Sequence, residues 1–179
     1  NELENISNEG VVLKHFVYRN NQLVYVSGFG DIVYDNYGNI IRYGNKVLEY
    51  NNRNKLSKII ETNGENTKTT LFYYNFLGQR FKKEVIEGSD TYTTEYLYDD
   101  NLLLKETVYK NNVLVREFEY FYNLQGVCGL RYNGVNYTFI RDVLGNIRRI
   151  QVGLNTICEY NYDAWGNQVV NYLGSETGS

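Results

Sequence analysis

The sequence predicts an all-β fold in which antiparallel β-hairpin repeats stack into a curved, twisted, open sheet. Three observations predict it. A six-residue phrase of the form Tyr-Asp-x-x-Gly-Asn recurs along the chain. The composition favours strands and turns, with 19 Tyr and 16 Gly but no Pro and no Met. Residues near the phrases also alternate: Phe118, Tyr120 and Tyr122 share one parity, while Glu117 and Glu119 take the other, the pattern of a strand with two unlike faces.

The sharpest copy of the phrase is Tyr162-Asp163-Ala164-Trp165-Gly166-Asn167, and Tyr34-Asp35-Asn36-Tyr37-Gly38-Asn39 matches it closely. Looser copies start at Tyr74 with Gly78 in the glycine position, and at Tyr122 with Gly126. Another keeps Asp142, Gly145 and Asn146 but has Arg141 where Tyr is expected, and Tyr98-Asp99 opens one that lacks its glycine. Tyr50, Tyr74, Tyr98 and Tyr122 are spaced 24 residues apart, after which the spacing shortens. A period of this length signals stacked supersecondary units. Each phrase reads as a turn: Asp or Asn at the first position accepts hydrogen bonds from backbone groups ahead of it, and Gly at the fourth tolerates positive φ. The preceding Tyr belongs to the incoming strand.

In chain order, residues 1–31 read as an N-terminal hairpin segment continuous with the repeats, with Asn20-Asn21 turning between Phe16-Val17-Tyr18 and Leu23-Val24-Tyr25-Val26. Gly28 and Gly30 break that run without completing a dinucleotide-binding glycine phrase. Residues 32–173 form the repeat region. Within it, Gly44-Asn45, Asn63-Gly64, Gly88 to Asp90, Asn111-Asn112, Asn133-Gly134 and Gly153 to Asn155 supply the second turn of each unit. Leu56, Ile59 and Ile60 have helical spacing, but their slot in the period assigns them to a strand. Residues 174–179 read as a disordered polar tail. Strand spacing predicts roughly 12 to 14 strands.

Composition narrows the function. The net charge of −3 is spread evenly and leaves no basic stripe, which argues against nucleic acid as a partner. No apolar run is long enough for a membrane-spanning helix, so no membrane insertion is expected of this segment. Cys128 and Cys158 have no metal-type spacing; they read as packed free thiols, with a disulfide between them as the alternative. The chain neither begins with Met nor contains one, and it reads as an internal piece of a longer polypeptide.

The recurring phrase, its spacing and the aromatics before it resemble the YD repeats, also called RHS repeats. These occur in bacterial Rhs and wall-associated proteins, in the B and C components of Tc toxins, and in animal teneurins. The resemblance covers about Ile32 to Leu173, and the Tyr162 to Asn167 copy is similar to the last repeat before the family's core region. It implies a β-sheet ribbon that forms part of a hollow shell around a C-terminal toxin or effector, in a large secreted or surface-displayed bacterial protein. The implied partners are the remainder of the parent polypeptide and its enclosed toxin. The family's self-cleavage aspartates lie in the core, so the resemblance assigns no catalytic residue here.

The residues themselves point the same way. His15 has no neighbouring Cys or second His for nucleophilic or metal chemistry. Asp35, Asp142 and Asp163 recur at turn positions, whereas catalysis needs a single site. No catalytic residue, metal site or cofactor is therefore expected, and the repeat residues above are read as structural. An alternative is a surface module for a glycan or receptor, with Trp165 and exposed tyrosines as stacking platforms and Asn side chains bonding hydroxyls.

Overall fold

The computed structural model describes residues 2–8 and 11–173, with side chains from His15 onward. The tail assigned to 174–179 lies outside the described residues. The chain forms two compact units, 1–93 and 94–179, and the division falls inside one strand.

The first unit contains β1 (Glu2–Asn8), β2 (Val11–Arg19), β3 (Gln22–Val26), β4 (Gly30–Tyr34), β5 (Ile40–Tyr43), β6 (Lys46–Tyr50), β7 (Leu56–Asn63), β8 (Asn66–Tyr74) and β9 (Arg80–Glu87). The division falls in β10 (Asp90–Asp99). The second unit continues with β11 (Leu102–Lys110), β12 (Val113–Asn123), β13 (Gly126–Tyr132), β14 (Val135–Arg141), β15 (Ile147–Val152), β16 (Asn155–Tyr162) and β17 (Gln168–Tyr172). The fold is all-β and built from stacked antiparallel hairpins. From β1 to β9, and again from β11 to β17, each strand pairs antiparallel with the next in sequence.

Seventeen strands among the described residues exceed the 12 to 14 expected. The excess arises because many turns need only two residues. Asn63 pairs with Asn66, so Gly64-Glu65 makes that turn, one residue later than Asn63-Gly64. Val152 pairs with Asn155, which leaves Gly153-Leu154. Asp90 likewise already belongs to β10. Strand β1 was not anticipated because its sequence carries only Leu3 and Ile6 as apolar signals. Leu56 to Asn63 is strand, as its slot in the period required.

Asn supplies most of the positive-φ positions outside glycine. Asn20 and Asn21 stand at φ 49° and 61°, and Asn111 and Asn112 at 49° and 67°. Asn tolerates this region because its short side chain bonds locally. Two consecutive residues there form the hairpin turn whose twist matches the flanking strands.

Among the described residues neither unit encloses a deep core. Among the described residues the buried side chains are Val26, Thr94 and Cys158, and no large side chain is fully buried. In the first unit both sheet faces carry apolar rows. Leu48, Ile59, Thr70 and Val85 succeed one another on one face, and Val47, Ile60, Thr69 and Ile86 on the other. The expected division into an aromatic and a polar face is therefore corrected for these strands; with half-covered faces, each can hold mixed rows. Charged pairs fill the gaps across the register, including Lys46 with Glu61 at 3.6 Å and Glu49 with Lys58 at 3.0 Å. In the second unit Glu119 of β12 lies between Lys105, at 3.9 Å, and Arg131, at 3.0 Å.

Candidate functional site: the repeat turns

Each Tyr-Asp-x-x-Gly-Asn phrase joins an even-numbered strand to the next odd-numbered one, and its geometry follows from its residue types. The carboxylate of Asp35 accepts from the backbone N–H of Tyr37 at 2.8 Å and of Asn39 at 2.9 Å. The Asn39 side-chain amide donates to the other carboxylate oxygen at 2.9 Å. Backbone bonds from Asp35 N to Asn39 O and from Gly38 N to Asp35 O close the loop, with Gly38 at φ 84°. The pattern recurs at Asp142 with Asn146 and Gly145, and at Asp163 with Asn167 and Gly166.

The looser copies keep the plan with altered chemistry. Asn75 takes the aspartate role: its oxygen accepts from Gln79 N at 3.0 Å, its amide donates to the Gln79 side chain at 2.8 Å, and Gly78 sits at φ 81°. At Tyr122 the turn is a residue tighter, since Asn123 pairs with Gly126 and Tyr122 with Val127. At Tyr98-Asp99 the strand runs through Asp99 and the next begins at Leu102, so the turn shrinks to Asp100 and Asn101, with Asp100 at φ 52°.

One copy escaped the sequence reading. Asn51 accepts from the N–H groups of Arg53 and Lys55, both at 3.0 Å, and Asn54 stands at φ 59° where the others have glycine. The signal was present: Tyr50 was already a member of the 24-residue period.

The repeated tyrosine has a role that sequence did not reveal. Tyr50 donates its hydroxyl to the carbonyl of Ile40, Tyr74 to Leu56, and Tyr162 to Ile147, over 2.8–3.1 Å. Each acceptor is the residue immediately following the preceding repeat turn. Tyr34 and Tyr122 reach the second residue of the facing strand, at Leu23 and Leu103. Each hydroxyl therefore ties the approach to one turn to the exit from another, satisfying a carbonyl at the strand's start. Arg141 fills the same slot by other means: its guanidinium donates to Val127 O at 2.7 Å and to Gly145 O within its own turn.

In the first unit neighbouring turns also touch. The Asn39 amide donates to the Asn54 side chain, and Arg53 donates to Phe76 O at 3.3 Å. The two central residues of each turn point outward. Tyr37 is 85% exposed and Phe76 82%, while in the second unit Trp165 is 90% exposed.

The Asn39 side-chain amide, followed by backbone N–H groups, holds the Asp35 carboxyl below its ordinary value, and the Asn167 amide does so for Asp163. At Asp142 partial desolvation opposes the shift, and the hydrogen bonds from Asn146 outweigh it. These carboxylates stay ionised and committed to donors within the turn. His15 packs edge-on against Tyr25, with ring centroids 6.1 Å apart. Cys158 is buried and Cys128 half-buried, both as free thiols. Among the described residues no group of three His, Cys, Asp or Glu side chains is placed to hold a metal ion, and no helix is long and apolar enough to cross a membrane.

No protein-family model matches the chain, and no curated protein matches it. Among solved structures the fold is similar to a chain of the Photorhabdus luminescens Tc holotoxin pore, with a TM-score of 0.55 and 17% sequence identity. The similarity covers 92% of this chain and 11% of that one. At this identity the likeness concerns the fold alone, and this chain spans about a tenth of that one's length.

Proposed function

We propose that this chain is a non-catalytic wall segment of a large secreted or surface-displayed YD-repeat protein, part of a shell around a C-terminal toxin or effector. The observation that carries this reading is the hydroxyl-to-carbonyl bond repeated between facing strands, from Tyr34 to Tyr162. It joins a strand to the strand beside it and directs no group toward a shared centre. Such a ladder builds a surface of any length and leaves catalysis to other segments. The fold shared with a chain of a toxin complex supports the same reading. Partners are the rest of the parent polypeptide and the enclosed toxin, and nucleic acid has no basic stripe to hold it.

The test is electron microscopy of the parent polypeptide, isolated from its source with an antibody raised against this chain. A hollow particle with antibody-labelled strands in its wall supports the reading. A parent no larger than this chain, or one lacking an enclosed volume, overturns it.

A second reading rests on the exposed rings of Tyr37, Phe76 and Trp165 at the turn tips. Exposed aromatic faces suit sugar rings or a surface receptor. Saturable binding on a glycan array that is lost in Trp165→Ala separates this reading from the first.

A further inference from the structure

Between β4 and β9 the two edges of the first unit are unlike. On one edge the repeat turns 35–39, 51–55 and 75–79 carry Tyr37, Arg53, Phe76 and Leu77 at their centres. On the other edge the turns are Gly44-Asn45 and Gly64-Glu65, which are small and polar.

The three repeat turns form one platform. Alternate hairpins stand two strands, or about 10 Å, apart, so the three tips span about 20 Å. Side-chain bonds hold them in series: the Asn39 amide donates to the Asn54 side chain, and Arg53 donates to Phe76 O at 3.3 Å. Lys55 crosses to the next turn as well. Its ammonium lies 5.6 Å from the centre of the Tyr74 ring, and its stem fills the space over Gly78, where a Cβ would meet Lys55 Cε at 2.8 Å.

The platform is layered along the strand direction. Tyr37, Phe76 and Leu77 project outermost, at 85%, 82% and 63% exposed. The polar groups beneath them are committed to one another. Asp35 takes the backbone N–H groups of Tyr37 and Asn39, Asn51 takes those of Arg53 and Lys55, and Asn75 takes that of Gln79. A tip whose donors are already satisfied can leave water without orphaning them.

Charge supplies the second half of the argument. In the same unit Lys46, Lys58, Lys68 and Lys82 each pair with a glutamate. Arg53 and Lys55 instead spend their contacts on a carbonyl and a ring, so the three turns hold two positive charges against the single carboxylate of Asp35. In a chain of net charge −3 this positive excess is local. Aromatic and aliphatic tips settle in the boundary between lipid headgroups and acyl chains, and cations at the same edge meet the headgroup phosphates.

We propose that turns 35–39, 51–55 and 75–79 dock on an anionic phospholipid surface, with Tyr37, Phe76 and Leu77 in the headgroup boundary and Arg53 and Lys55 against lipid phosphates. The chain lies on such a surface and does not cross it. The proposal is independent of the wall reading, which rests on bonds between strands. It goes beyond the second reading by committing these turns to lipid rather than to a sugar or a receptor.

The experiment floats the full chain with vesicles of phosphatidylcholine alone or mixed with phosphatidylserine, at low and at high salt. Vesicles carry neither glycan nor protein, so the result is separable from the second reading. Association with the mixed vesicles that weakens at high salt is expected. Arg53→Gln with Lys55→Gln is expected to weaken it about twentyfold, and Phe76→Ser with Leu77→Ser at least about tenfold. Glu65→Lys, which adds positive charge at the opposite edge, is expected to leave it unchanged. In a chain carrying Trp165→Phe and Phe76→Trp, brominated acyl chains are expected to quench the indole. Circular dichroism checks that each variant keeps its strands.

No flotation with mixed vesicles at low salt overturns the proposal. So does flotation that survives both pairs of substitutions or grows with Glu65→Lys, since charge alone then drives it, and so does an unquenched indole. Binding to soluble polyglutamate without flotation overturns it in favour of an acidic protein partner.

Discussion

The hydroxyl of Tyr162 donates to the carbonyl of Ile147 at 3.0 Å, spanning from the approach to one repeat turn to the exit from the one before it. Stability is therefore carried between turns as well as within them, and single substitutions can separate the two contributions.

Removing one hydroxyl while keeping its ring isolates the bond between turns. Tyr162→Phe is expected to lower stability by about 1 kcal/mol, the net worth of a typical intramolecular hydrogen bond. Urea denaturation followed by circular dichroism measures it. A change within error would show that water satisfies the Ile147 carbonyl equally well.

Arg141 occupies the tyrosine position and reaches the equivalent acceptor, Val127 O. Arg141→Tyr should therefore fold with stability within about 1 kcal/mol of the parent, while Arg141→Ala should lose about 1.5–3 kcal/mol because the lost bonds come from a charged donor. Equal losses in the two variants would mean that the slot does not recognise tyrosine at this repeat.

Gly38 stands at φ 84°, and a Cβ added there would meet nothing within 4 Å. The cost of Gly38→Ala is then purely conformational, about 1–2 kcal/mol. Gly38→Asn should cost less, since Asn54 occupies the corresponding position at φ 59°. Paired thermal melts of the two variants test the order, and alanine proving the milder change would refute it.

The turn carboxyls predict a pH dependence of definite sign. Asp163 is held below its ordinary value, first by the Asn167 side chain and then by the Asn167 backbone N–H. A depressed folded-state value contributes stability that is complete above the unfolded value of about 3.9 and is lost as pH falls through the folded value. Asp163→Asn should hold the turn, as Asn75 does in its own repeat, and should shrink the drop in melting temperature between pH 7 and pH 3. An unchanged drop would place the acid sensitivity elsewhere.

The turns were legible in sequence because their chemistry is local. An aspartate, a glycine and an asparagine within five positions fold back on one another whatever surrounds them, and Asp35, Asp142 and Asp163 behave alike. The Asn51 turn was missed because three of its residues are substitutes: Asn for Asp, Asn54 for Gly, and Lys55 for Asn. Only Tyr50 retained the signal. The tyrosine acceptors were not legible at all, since they lie between 10 and 19 residues back and depend on the register, including the shifts beside each turn. Arg141 illustrates the difference. Sequence marks it as a departure from the pattern, and geometry shows it meeting the same requirement.

The near absence of a buried interior has a consequence for growth. A globular protein is fixed in size by the volume it must fill, so inserting a segment disturbs every neighbour at once. Here the described residues bury little beyond Val26, Thr94 and Cys158, and each strand answers only to the strands beside it. Length becomes a free variable, as in a linear polymer whose monomer is one hairpin. Whole monomers can be duplicated or deleted in frame between two turns, and the rest of the chain has no packing problem to solve again.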